Sequence, residues 1–116
     1  MKLQIKRIYD EPEISDGRRI YVDRLWARGL TKEKAQLDAW VKDVAPSTEL
    51  RKWYGHKVER FDEFKQRYTD ELNSNPAAGD FLKEIKNYPT VTLLYSAKDG
   101  EHSNATVLLD WLKNQL

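Results

Sequence analysis

The chain contains no cysteine, an absence that rules out disulfides, thiolate catalysis and cysteine-ligated zinc or iron–sulfur centres. Histidine is scarce as well: the two present, His56 and His102, stand far apart without ligand spacing, so no metal site is expected. Long apolar runs are also missing. The start, Met1-Lys2-Leu3-Gln4-Ile5-Lys6-Arg7, has no hydrophobic signal core, and the longest apolar stretch, around Val91 to Ala97, is far below membrane-spanning length. A cytoplasmic protein without a membrane segment is therefore the expectation.

Charge of one sign is absent too, since the formal net charge is +1. That balance hides an asymmetry: residues 1–58 hold thirteen Lys/Arg against nine Asp/Glu (13 − 9 = +4), and residues 59–116 hold seven against ten (7 − 10 = −3). A nucleic-acid module is usually more one-sided, although a local basic face is compatible with these numbers. What is plentiful is bulky core material: four Trp, six Tyr and three Phe in 116 residues. A chain this long fits one domain burying roughly two-thirds of the surface its unfolded form exposes.

Patterning predicts an alternation of strands and helices. Lys2 to Tyr9 and Arg19 to Leu25 read as strands separated by a polar segment ending in Asp16-Gly17, a turn dipeptide. A long-looped antiparallel hairpin is the simpler pairing, because parallel crossovers normally need a dozen or more residues. Thr31 is a candidate N-cap, and Leu37, Trp40, Val41 and Val44 then recur at i, i+3, i+4 and i+7, which predicts a helix ending before Pro46. Ser47 caps a short helix that exits at Gly55, Lys57 to Leu72 carries a longer amphipathic stripe, and Asn75-Pro76 opens a helix ending near Asn87. Thr90 to Ala97 is almost continuously apolar, as a central strand covered on both faces would be. A polar loop, Lys98 to Asn104, leads to a terminal helix with Ala105, Leu108, Leu109, Leu112 and Leu116 on one stripe. The expected architecture is α/β, a single compact domain with a small mixed or parallel sheet and helices packed around it.

The residues most suggestive of chemistry are Arg24-Leu25-Trp26-Ala27-Arg28-Gly29-Leu30, where the second strand hands over to a loop. Strand ends are where α/β proteins usually hold ligands. Guanidinium is a planar five-donor fork, so Arg24 and Arg28 flanking Trp26 suggest a site for an anion carrying a flat or apolar group. The structural alternative is that Arg24 pairs with a carboxylate and Trp26 plugs the core. A second cluster is the loop before the last helix: Lys98, Ser103 and Asn104 can help hold an anion near a helix start, and Asp99 with His102 can act as acid and base. Arg51, one turn after the cap Ser47, can reach the same crevice.

Arg19-Ile-Tyr-Val-Asp-Arg-Leu-Trp-Ala-Arg-Gly-Leu30, Trp40-Val-Lys-Asp-Val-Ala-Pro-Ser47, Leu50 to His56, Phe64 and Tyr68 ahead of Glu71-Leu72, and Thr92 to Asp99 with Asn104-Ala105 follow one another in order along the chain. Together they resemble the bacterial YeaO-like domain-of-unknown-function family. The resemblance implies a single α/β domain and no established activity, and Ala27 stands where the family's usual motif has proline. Neither a helix-turn-helix nor a glycine-rich cofactor loop is visible in the sequence, which leaves any cofactor unknown. Two functions from different classes are therefore expected. One is a pocket at the strand ends for a phosphorylated or carboxylated small molecule or nucleotide, built from Arg24, Trp26, Arg28, Arg51 and the loop Lys98 to Asn104, in a binding protein or in an enzyme that uses Asp99 and His102 for proton transfer. The other is a non-catalytic nucleic-acid- or protein-binding module, which requires Arg7, Arg18, Arg19, Lys32 and Lys34 to share a face with the arginine motif.

Overall fold

The apolar run after Pro89 occupies the position such a run demands, flanked by strands on both sides and covered on both faces. The computed structural model describes residues 1–116. Its four strands are β1 (Lys2–Arg7), β2 (Arg18–Tyr21), β3 (Ala39–Trp40) and β4 (Thr90–Tyr95), in the spatial order β1-β4-β2-β3 with every pairing parallel. Side chains of β4 alternate: Val91, Leu93 and Tyr95 enter the main core, while Leu94 joins a smaller cluster with Ile8, Tyr21, Ala27 and Ala35. Each fully buried leucine or isoleucine in these clusters contributes about 1.5–3 kcal/mol.

The short helix α1 (Lys32–Ala35) covers the smaller cluster, and α2 (Thr48–Tyr54), α3 (Phe61–Ser74), α4 (Pro76–Ile85) and α5 (Asn104–Gln115) supply the main core. Local chemistry explains where the helices start. Ser47, Asn75 and Ser103 accept hydrogen bonds from the amides of Leu50, Ala77 and Thr106, and Pro76 occupies the first turn of α4. Glu71 of α3 accepts from the Ser47 amide at 2.8 Å and from its hydroxyl at 2.6 Å, so the cap of α2 is tied to the neighbouring helix. No helix is long and apolar enough to cross a membrane.

Three expectations are corrected. The N-terminal strands do not form a hairpin: β1 and β2 run parallel with β4 between them, and residues 8–17 suffice as the crossover. That connector lies over a polar patch of the sheet. Asp16, buried, bonds to Lys6 at 3.1 Å and to Arg19 at 2.5 Å, and its carbonyl accepts from Thr92 Oγ1 at 2.6 Å. The helix expected from Thr31 to Val44 survives only as α1, because Gln36 turns left-handed at φ 49° and the next residues join the sheet edge. There the amides of Asp38 and Val41 donate to the carbonyls of Arg19 and Tyr21, at 2.9 Å each. The four apolar residues with helical spacing divide instead between two cores, Leu37 and Trp40 on one face and Val41 and Val44 on the other. The third correction is minor: α3 begins at Phe61 rather than Lys57, behind a 3-10 turn at Val58–Arg60.

Candidate functional site

In a parallel sheet, a crevice opens where two adjacent strands send their outgoing chains to opposite faces. Here those strands are β2 and β4, whose pairing places Tyr21 beside Leu94. After β2 the chain turns toward the smaller cluster and α1; after β4 it enters α5 and the main core. A cavity of about 420 Å³ sits at this point.

Its floor is stitched by Asp23. One carboxylate oxygen, Oδ2, accepts from the Ser96 amide at 3.0 Å and the Ser96 hydroxyl at 2.7 Å, so it joins the loops that leave β2 and β4. The Tyr21 hydroxyl lies 3.2 Å from the same oxygen and donates more closely, at 2.7 Å, to the Leu25 carbonyl. Burial first, and the Asp23 charge second, push the Tyr21 phenol well up, which keeps it a donor. The other oxygen, Oδ1, is buried without a partner.

Arginines supply the walls. Arg24 is half-buried and donates to the Pro46 carbonyl at 3.1 Å, so it braces a turn rather than pairing with a carboxylate. Arg28 is exposed at the rim, and its carbonyl is held by the Tyr9 hydroxyl at 2.8 Å. Arg51 projects from α2 with a buried, unpartnered Nε. Of the eight arginines in the chain, Arg28 and Arg51 are the two whose guanidinium groups have no hydrogen-bond, ion-pair or aromatic partner, and both line this cavity. Trp26 is packed as a core residue and also reaches the cavity. It packs on Tyr21 and Trp40, each at a centroid distance of 5.2 Å, donates to the Leu30 carbonyl at 2.7 Å, and still lines the cavity.

The loop before α5 contributes less to the cavity than its sequence suggests. Ser103 and Asn104 line it, whereas Lys98, Asp99 and His102 do not. Ser103 is the buried cap of α5, and Asn104 reaches the Val22 carbonyl at 3.5 Å. Asp99 and His102 are paired with each other at 2.7 Å, and Asp99 also accepts from the amides of Glu101 and His102. The hydrogen bond from His102 leads the interactions that hold the exposed Asp99 carboxyl below its ordinary range. His56, weighed in the sequence beside Arg51, lines the cavity too, and Tyr9, Asp23 and Ser96 also line it and were not among the candidate site residues of the sequence. For Asp23 and Ser96 a signal existed, since both are the first polar residues past the ends of adjacent strands.

These placements separate the two motif arginines energetically. Arg24→Ala leaves backbone carbonyls of the Ala45–Pro46 turn unpaired and is expected to reduce stability by about 1–3 kcal/mol. Arg28→Ala removes an exposed, unpartnered cation and is expected to stay within about 0.5 kcal/mol of the parent. Urea unfolding of both variants checks this, and an unfolded Arg28→Ala would make the rim arginine a scaffold residue.

Fold and site define a parallel α/β domain with a cationic crevice at its strand switch point. The chain belongs to the family described as the inactive DUF488-N3 subclade, which it matches over residues 2–116. It is 46% identical over 114 residues to "Uncharacterized protein YeaO" of Escherichia coli (strain K12), covering 98% of this chain and 99% of that protein. It is 38% identical over 114 residues to "Uncharacterized protein Rv3073c" of Mycobacterium tuberculosis (strain ATCC 25618 / H37Rv), covering 98% and 96%. No solved structure matches it.

Proposed function

We propose that this protein is a binding module for an anionic small molecule, phosphorylated or carboxylated, held in the cavity between the β2 and β4 loops. The observation that carries this is the pair Arg28 and Arg51, two residues whose guanidinium groups lack a partner and which line one crevice. With Arg24 the lining holds three cations against one carboxylate, Asp23 (3 − 1 = +2), and that carboxylate already has donors on one oxygen. The start of α5 adds the partial positive charge and free amides of a helix N-terminus at Asn104. Trp26, Leu25 and Tyr54 give the same lining an apolar side suited to a flat group.

Binding without a chemical step is supported by two observations. The family is described as inactive, and the one acid–base pair of the loop, Asp99 with His102, lies outside the cavity lining. The nucleic-acid alternative needs Arg7, Arg18, Arg19, Lys32 and Lys34 on one face with the motif, and of these Lys32 does stand beside it, over the Trp26 ring. Arg19 is buried against Asp16, Arg18 lies over the Tyr88 ring near Glu84, and Arg7 is turned to the carbonyls of Ser96 and Ala97. The cavity is therefore favoured over a basic surface.

A thermal-shift titration with inorganic phosphate and with phosphorylated and carboxylated metabolites tests this. A ligand at 100 times its Kd stabilises the folded state by about 2.7 kcal/mol, so a saturable rise in Tm is expected for at least one of them. Arg51→Lys keeps the charge and loses the fork; it is expected to leave the ligand-free Tm unchanged and weaken binding roughly tenfold. No saturable rise with any anion, or a folded but strongly destabilised Arg51→Lys that binds as tightly as the parent, would remove the proposal.

A further inference from the structure

Three side-chain atoms in this chain are buried without any hydrogen-bond partner: Arg18 Nε, Asp23 Oδ1 and Arg51 Nε. The last two belong to residues that line the same cavity. They are of opposite kind. Arg51 Nε is an N–H donor, which an anionic group satisfies, whereas Asp23 Oδ1 is an acceptor, which an anionic group without a donor cannot satisfy. A buried acceptor left unmet destabilises the structure, and it persists where something supplies its donor.

The loop-joining role of Asp23 does not explain this second oxygen. Oδ2 alone receives both donors from Ser96 and the longer contact from Tyr21. An asparagine in the same place would offer one carbonyl oxygen to the same donors without a negative charge. Instead the cavity keeps a full carboxylate amid its three arginines, where it opposes any bare anion by charge repulsion. A carboxylate there favours a ligand that is an anion at one point and a hydrogen-bond donor at another. At about 420 Å³ the space lies in the lower part of the roughly 300–1,000 Å³ range of small-molecule sites, enough for one metabolite. Trp26 and Leu25 add an apolar wall beside these polar groups.

We infer that Asp23 is the specificity-determining residue of this site, its free carboxylate oxygen selecting hydroxyl-bearing phosphate monoesters of the nucleoside monophosphate class over bare or hydroxyl-free anions. The inference rests on the anion-binding proposal above. Arg51 and Arg28 would take the phosphate, Asp23 Oδ1 would accept from a sugar hydroxyl, and Trp26 would cover the base. No bond is made or broken.

The test is a calorimetric titration of the whole chain and of Asp23→Asn with three probes: inorganic phosphate, phenyl phosphate and a nucleoside 5′-monophosphate. Phenyl phosphate has the anion and a flat ring but no sugar hydroxyls. For the parent protein, the nucleotide is expected to bind at least roughly tenfold more tightly than phenyl phosphate, the scale of one hydrogen bond to a charged group. In Asp23→Asn the side-chain carbonyl can keep the Ser96 donors while an NH₂ replaces the free oxygen. Nucleotide affinity should then fall roughly tenfold while inorganic phosphate binds as well as or better than before. Equal affinity of the parent for nucleotide and phenyl phosphate would overturn the inference even if the variant fails to fold. A folded Asp23→Asn that keeps the parent's preference would do so too, and would leave Oδ1 to a structural water. If none of the three probes binds the parent protein, Asp23 has no such role either; binding of a carboxylated metabolite would then leave the broader anion proposal standing.

Discussion

Asp16→Ala is expected to lose about 3–5 kcal/mol of folding stability, because it leaves the buried Arg19 without its carboxylate partner beneath the connector that crosses the sheet. Arg19 is 4% exposed and Asp16 3%, so neither has water as a substitute partner. Lys6 is drawn to the same carboxylate at 3.1 Å. Glu13, which also contacts Lys6 at 2.9 Å, is the control: it is exposed, and Glu13→Ala is expected to change stability by about 0–1 kcal/mol. Urea midpoints of the two variants decide the matter, and equal losses would mean that burial of the pair is not what counts.

The same cluster sets a pH window. Burial acts to raise the Asp16 carboxyl, but the Glu13 amide, Lys6 and Arg19 outweigh it and hold the group below its ordinary value. A depressed carboxyl contributes stability that is present above the unfolded value of about 3.9 and is lost as pH falls through the folded one. For Lys6, burial acts to lower the amine, and its bonds to Glu13 and Asp16 raise it overall. That contribution is present below the unfolded value of about 10.4 and is lost as pH rises through the folded one. Unfolding profiles should therefore steepen at both extremes, and Asp16→Ala should flatten the acid limb.

Gly17→Ala is expected to be nearly as damaging, about 3 kcal/mol or more. Gly17 sits at φ 64° and ψ −132°, a region that side chains avoid at about 1–3 kcal/mol. An added Cβ would also lie 2.4 Å from the Thr90 carbonyl oxygen, a backbone atom held in the central strand. Gly29, in the arginine loop, shares the positive φ, at 78°, but a methyl added there would meet nothing within 4 Å. Gly29→Ala should cost only about 1 kcal/mol. Far-UV circular dichroism melts of the pair test this, and a Gly17→Ala protein as stable as Gly29→Ala would show that the connector can shift away from the sheet.

Elements whose hydrogen bonds close locally were legible in the sequence. Ser47, Asn75-Pro76 and Ser103 are capping chemistry, and the helices begin where those residues stand. The uninterrupted apolar run at Thr90–Tyr95 marked the central strand, which pairs in parallel with β2. The arginine loop and the Asn104 loop consequently open on one end of the sheet. Residues 36–44 were not legible in the same way. Helical spacing records which residues are apolar, not which of two cores each enters, and the free edge of β2 offered backbone partners that no local pattern displays.

The site divides along the same line. Sequence alone determined that arginines and an indole stand at a strand end, because strand ends follow from local pattern. Only the tertiary structure decided which of them stay unpaired. It spent Arg24 on a turn and Arg19 on Asp16, left Arg28 and Arg51 unpaired, and brought in Asp23 with one carboxylate oxygen buried and unpartnered. A side chain's partners are set by neighbours distant in sequence: Asp23 meets Ser96 only because β4 inserts between β1 and β2 and places the two strand ends side by side.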